Sequence, residues 1–247
     1  MRFSKTFNNT EIDEVCTIMF RTKIYHVAHD LELQAHPDRE RILNARQTWD
    51  ALQRIDGGWQ PVWYSTIGRR TSRDLGDVRS VPYVNDLFDK GVDVAGESGI
   101  VCWSNLDVCL VPEAAAIVRK KLDAASCCFS GRIDVDDARP RRSRRDLSSQ
   151  PISPGTDLFA FRSSWWLKHR DNFPEMFISC EAFDFMLRKL MEQDNLAADI
   201  IPPILYHERH SAFWADAENR LHNPAQRHNR SAALHWCQQR GLKPPFL

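Results

Sequence analysis

The 247-residue sequence predicts one α/β domain in which a mostly parallel central sheet is flanked by helices. Three observations carry that reading. Short apolar runs of strand length alternate with amphipathic stretches, giving the order β-α-β-α-β-α-β as far as Val135. Helical crossovers between successive strands place those strands parallel. No segment repeats at a fixed period, and the sheet pattern resumes after the one charged interruption, so no boundary divides the chain (1–247).

The elements follow in order. Val15 to Phe20 reads as a first strand, and a polar segment with three histidines follows it. Pro37-Asp38 opens a helix with Ile42, Ala45, Trp49 and Leu52 on one face, closed by Gly57-Gly58. Val62 to Ile67 is expected as a second strand. After a loop with Arg69, Arg70, Arg73 and Arg79, Ser80 and Pro82 read as the start of a helix with the stripe Val81, Val84, Leu87 and Phe88. Gly99 to Pro112 is the central stretch: a buried strand whose apolar character breaks at Ser104-Asn105. A helix over Pro112 to Asp123 and a strand over Cys127 to Val135 come next.

Residues 136 to 154 change in character. Five arginines fall within the seven residues Arg139 to Arg145, apolar residues are scarce, and no periodicity remains, so a mobile loop is expected. Thr156 to Phe161 is a strand. Ser163 caps a short helix with Trp165 and Trp166, Ser179 to Gln193 is an amphipathic helix, and Ile200 to Tyr206 is the last strand. Asn223-Pro224 starts a terminal helix that stops at Gly241.

Composition narrows the function classes. Thirty-three basic side chains balance thirty-three acidic ones, so no global field draws the chain to nucleic acid or membrane, and a basic contact must be local. No apolar run is long enough to span a bilayer. Met1 to Lys5 lacks the apolar core of a signal peptide, and a cytoplasmic protein is the expectation. The seven cysteines are odd in number and include no Cys-x-x-Cys pair, which points to reduced core residues. Neither a dinucleotide nor a P-loop glycine pattern is present.

Asp107 falls at the C-terminal end of a strand, at the edge of an open sheet where loops leave a crevice and a carboxylate can hold a hard divalent cation. Ser104-Asn105-Leu106-Asp107 resembles the Asn-x-Asp form of the Asp-x-Asp motif of GT-A glycosyltransferases. Three downstream stretches extend the resemblance: Arg132-Ile133-Asp134, then Gly155-Thr156-Asp157-Leu158-Phe159-Ala160-Phe161, then Ile178-Ser179-Cys180-Glu181-Ala182-Phe183-Asp184. It runs from about Arg79 to Trp214, with Asn105 in place of the motif's first acid and Ser179 where glycine is usual.

The resemblance implies a Rossmann-like GT-A fold and a metal-dependent transfer from a nucleotide-diphosphate sugar, a UDP-sugar above all, to a hydroxyl of a saccharide or other acceptor. It implies Mn²⁺ or Mg²⁺ at Asp107, with His207 as second ligand and His210 as the alternative. As a non-functional alternative, His207 is a surface or helix-capping histidine. His-Glu-Arg-His at 207–210 is not the zinc-protease motif, because its histidines stand three apart. Asp184 is the implied general base, which means inversion, and Glu181 is the second choice; either acid could instead serve a helix N-terminus. Arg79, Asn105, Arg132 and Asp157 are the donor-binding candidates. Arg141, Arg142, Arg144 and Arg145 suit a lid over the diphosphate or a polyanionic acceptor, and DNA with hydroxymethylated bases is the alternative acceptor, Trp165, Trp166 and Trp214 then offering stacking surfaces. A non-catalytic nucleotide-sugar-binding module is the reading from another class.

Overall fold

The computed structural model describes residues 22–30, 36, 38–210 and 222–246. The strand expected over Val15 to Phe20, together with Cys16, Pro37 and Trp214, lies outside the described residues. Strand β1 is Ile24–His29, within the segment that reads as polar. Its histidines hide it: His26 is buried beside the Trp49 and Trp59 rings, at 4.3 and 5.1 Å, and donates to or accepts from Ser104 Oγ at 3.0 Å. Burial pushes the His26 imidazole down to about 3, so it packs as a neutral aromatic ring.

Helix α1, Arg39–Ile55, buries the expected face. Strand β2 is Trp59–Tyr64, starting three residues before the expected Val62. It starts early because Asp56 closes the turn: its carboxylate accepts the Gly58 N–H at 3.0 Å and a bidentate pair from Arg119 at 2.6 and 2.7 Å. A Cβ on Gly58 would lie 2.6 Å from Arg119 Nη2. Helix α2 is Val84–Ala95. Ser80 and Pro82 precede it and do not cap it, since Pro82 bridges Thr71 and accepts the Ile178 N–H at 3.1 Å. Gly91 lets α2 lie directly on the sheet; a Cβ there would meet Val27 at 2.6 Å and Val101 at 2.7 Å.

Strands β3, Ile100–Ser104, and β4, Val108–Leu110, flank the Asn105–Asp107 turn. Helix α3, Ala114–Leu122, leads to β5, Cys127–Val135. The arginine-rich stretch holds regular structure where none is expected: α4, Arg144–Leu147, is one turn capped reciprocally by Ser143 and Asp146, with Leu147 buried. Strand β6, Ser153–Arg162, and helix α5, Ser163–His169, follow.

Helix α6 is Phe183–Glu192, four residues shorter at its start than the periodicity predicts. Ser179 and Ala182 take positive φ angles of 54° and 73°, so the chain turns twice before the helix begins. Glu181 therefore lies outside α6. The last expected strand, Ile200 to Tyr206, is strand only at its end: β8 is Leu205–Glu208, a short β7, Ala197–Asp199, precedes the expected range, and the cis Ile201-Pro202 bond lies between them. Helix α7, Pro224–Gln239, begins as read, with Asn223 accepting the Gln226 N–H, and Gly241 follows it at φ 63°.

The eight described strands form one sheet in the order β2-β1-β3-β6-β5-β8-β4, with β7 also on β5. Four of the seven pairings among the described residues are parallel. The rest are antiparallel and involve β6, between β3 and β5, and β4 on β8. The fold is thus α/β with a sheet flanked by helices. Alternation along the strands separates two cores. Val101, Trp103, Phe159 and Phe161 meet α2, α5, α6 and α7 on one face; Ile100, Cys102, Leu158 and Ala160 meet α1 and α3 on the other. The six described cysteines are free and buried. Trp165 and Trp166 are core residues at 3% and 0% exposure, which removes them as stacking surfaces. No helix among the described residues is long and apolar enough to cross a membrane.

Candidate metal and acid site

Strand register assembles the site. His207 stands opposite Asp134 across β5–β8 and opposite Val108 across β8–β4, so one strand delivers its imidazole between the β5 acid and the turn that ends in Asp107. The turn is held by Leu106, which is buried in the core, and by the Val108 N–H donating to the Asn105 carbonyl at 3.3 Å. Trp49 Nε1 donates to the Val108 carbonyl at 3.0 Å and secures its far side.

Asp107 Oδ2 lies 3.1 Å from His207 Nε2 and 3.4 Å from His210 Nε2, and the two Nε2 atoms are 3.1 Å apart. Both histidines therefore reach the carboxylate, where the sequence offered them as alternatives. Burial works against the charged form of Asp107, but hydrogen bonds and charge from His207 and His210 outweigh it and hold the carboxyl below the usual carboxylate range. On its other side His207 Nδ1 is 3.4 Å from Asp134 Oδ1. Asp134 in turn accepts from Arg132 Nε and Ser153 Oγ, each at 2.7 Å. Asp134 belongs to the Arg132-Ile133-Asp134 stretch, in which the sequence assigns it no role. Its signal was the spacing of Arg132 and Asp134, whose side chains share one face of β5.

Asp157, on β6, is buried and fully engaged. Arg132 Nη1 donates to both its oxygens, at 2.9 and 3.1 Å, and Asn105 Nδ2 donates to it as well. Burial raises its pKa despite Arg132. Asp184 opens α6, and a Cβ on Gly155 would lie 3.8 Å from its Oδ2 and 3.9 Å from Asp157 Oδ2. Gly155 at φ 106° thus passes between the two acids. Asp184 keeps part of its surface open while protein surrounds the rest. Burial raises its pKa, with Asp157 adding to the shift and main-chain N–H groups of Thr156, Asp184 and Phe185 offsetting part of it.

Among the remaining candidates, Glu181 and Arg79 bond to partners outside the metal-ligand group. Glu181 accepts from Arg230 of α7 at 3.2 and 3.4 Å, and its N–H donates to Gln226 Oε1 at 2.6 Å. It ties the loop before α6 to α7 and does not share a helix face with Asp184. Arg79 donates to Asp77 Oδ2 at 3.3 Å and lies 3.6 Å from Cys180 Sγ. In the arginine run, Arg144 donates to the carbonyls of Ile201 and Pro202 at 3.0 to 3.3 Å, and Arg142 donates to the Asp137 carbonyl and sits over the Tyr206 ring. Arg141 and Arg145 are exposed.

Asp107, His207 and His210 are the one group of metal-ligand type found among the described residues, with ligand atoms within 4.8 Å of one another. No family model matches the chain, and no curated protein matches it. Among solved structures, the crystal structure of S. aureus TarS 1-349 in complex with UDP-GlcNAc is similar, with a TM-score of 0.42 and 12% identity over 79% of this chain. The match spans 61% of that protein's chain, so this chain accounts for less than two thirds of its length.

Proposed function

We propose that the protein is a metal-dependent glycosyltransferase that moves a sugar from a nucleoside-diphosphate sugar, a UDP-sugar in the first instance, to a hydroxyl acceptor. The observation that carries this reading is the convergence of Asp107, His207 and His210 at the end of a sheet strand. Their ligand atoms form a triangle with edges of 3.1, 3.1 and 3.4 Å. Three adjacent corners of an octahedron with bonds of about 2.1 Å lie about 3.0 Å apart, so the triangle suits one face of a six-coordinate cation. Two imidazoles and one carboxylate favour Mn²⁺ over the all-oxygen preference of Mg²⁺.

The bound cation would neutralise charge on the departing diphosphate. The chain's own residues do the rest. Asp107, kept ionised, and the two imidazoles would hold the ion, and Asp134, 3.4 Å from His207 Nδ1, places a negative charge behind that ring. Asp184, with its raised pKa, accepts the acceptor hydroxyl's proton as that oxygen attacks, which corresponds to inversion by direct displacement. Arg79 is the donor-phosphate contact. Arg132 and Asp157 act through each other as struts, because each is occupied by the other.

A thermal-shift titration with UDP, GDP, ADP and CDP, each with Mn²⁺ and with EDTA, tests the reading. A rise in melting temperature for UDP only with Mn²⁺ is the expected result. A shift that is the same in EDTA would favour a non-catalytic binding module, and no shift with any diphosphate would refute the donor class.

A further inference from the structure

The chain's two departures from the motif series, Asn105 and Ser179, touch each other. Ser179 Oγ donates to Asn105 Oδ1 at 3.3 Å, although 74 residues separate them. The other end of the same amide, Nδ2, donates to the Asp157 carboxylate, which Arg132 already holds. Asn105 thus accepts on one side and donates on the other. A carboxylate at 105 could accept from Ser179 but would face Asp157 with like charge and no proton to give. Ser179 is equally specific: it stands at φ 54°, a conformation that L side chains rarely adopt, and it spends that strain where its hydroxyl reaches the amide.

We propose that Asn105 and Ser179 are a coupled positioning pair that sets the Asn105–Asp107 turn and aims the Asp107 carboxylate at His207 and His210. The amide at position 105 is required for that role and does not stand in for a missing metal ligand. This rests on the metal-site reading of Asp107. The pair links three elements: the turn after β3, strand β6 through Asp157, and the loop before α6 through Ser179.

The test is Mn²⁺ binding to the purified full chain, read from loss of the free-ion paramagnetic resonance signal, with Asp107→Ala as the control for the site. Asn105→Asp should weaken Mn²⁺ by about tenfold even though it adds a carboxylate. If position 105 were a ligand, that variant would bind the ion more tightly, and equal or tighter binding overturns the proposal. Ser179→Gly suits the positive φ and should leave the melting temperature at or above that of the wild type, yet weaken Mn²⁺ several-fold. Unchanged affinity in this variant also overturns the proposal. Asn105→Ala combined with Ser179→Gly should bind no more weakly than the worse single variant, whereas losses that multiply would show two independent residues. Should wild type and Asp107→Ala bind Mn²⁺ equally, the metal reading fails by itself. The coupling is then read from urea unfolding of the same variants in EDTA, where strictly additive changes in stability, of either sign, overturn the pair.

Discussion

Asp107 and Asp184 are the same residue type, and their surroundings drive them in opposite directions. Asp107 faces two imidazoles and its carboxyl is held below the ordinary range; Asp184 faces another acid across Gly155 and its carboxyl is raised by burial. The contrast shows how local surroundings move one residue type both ways. A carboxylate among potential cations remains an ion and suits a metal, and a carboxylate enclosed beside a like charge holds a proton more tightly and suits proton transfer.

Removing the ionised member should break the comparison most completely. Asp107→Ala is expected to abolish Mn²⁺ binding and, with it, Mn²⁺-dependent stabilisation by UDP; calorimetric titration that gives wild-type affinity would take Asp107 out of the site. Asp184→Asn should leave Mn²⁺ and UDP binding in place and lower sugar transfer by about 10²-fold or more, measured as kcat at saturating donor. Full activity in that variant would remove Asp184 as the base.

pH sharpens the same contrast. A base must be deprotonated, so transfer should fall as pH drops through a value above the ordinary aspartate pKa of about 4, and the acid limb of kcat/KM against pH locates it. Stability carries the sign as well. A raised folded-state pKa makes ionisation of Asp184 unfavourable to the fold, with no effect below the unfolded-state value and the full cost above the folded one. The stability of Asp184→Asn relative to wild type should therefore improve as pH rises from about 4 to 7, by urea unfolding. A constant difference would mean that Asp184 does not titrate in this window.

Glu181 gives the smallest expected effect. Glu181→Gln weakens a partly exposed ion pair with Arg230, so a loss of at most about 1 kcal/mol is expected, with transfer within about twofold of wild type. A hundredfold loss of transfer would instead return Glu181 to the chemistry.

Glu181 also shows where reading the chain stops short. Helical periodicity carries Ser179 to Gln193 as one unit, and on such a helix Glu181 and Asp184 share a face. The positive φ at Ala182 lies between them and, with that at Ser179, keeps Glu181 out of the helix; neither residue type announces that conformation. His26 and His29 mislead in the opposite direction: imidazoles count as polar in a pattern, but buried and neutral they line a strand. Arg144 reads as solvated because its partners are main-chain carbonyls at 201 and 202, which no local pattern marks.

What the sequence by itself determined is local and periodic. The α/β class, the buried faces of α1 and α6, the Asn223 cap and the breaking of the strand before Asp107 all follow from residue type and spacing within one or two turns of chain. Tertiary structure alone decided the pairings: His210 joining His207 at Asp107, Asp134 behind His207, Asp157 engaged by Arg132, Ser179 on Asn105. Each joins residues on separate elements. Strand register and the turns between elements set such contacts, and both depend on how the two cores pack on the sheet.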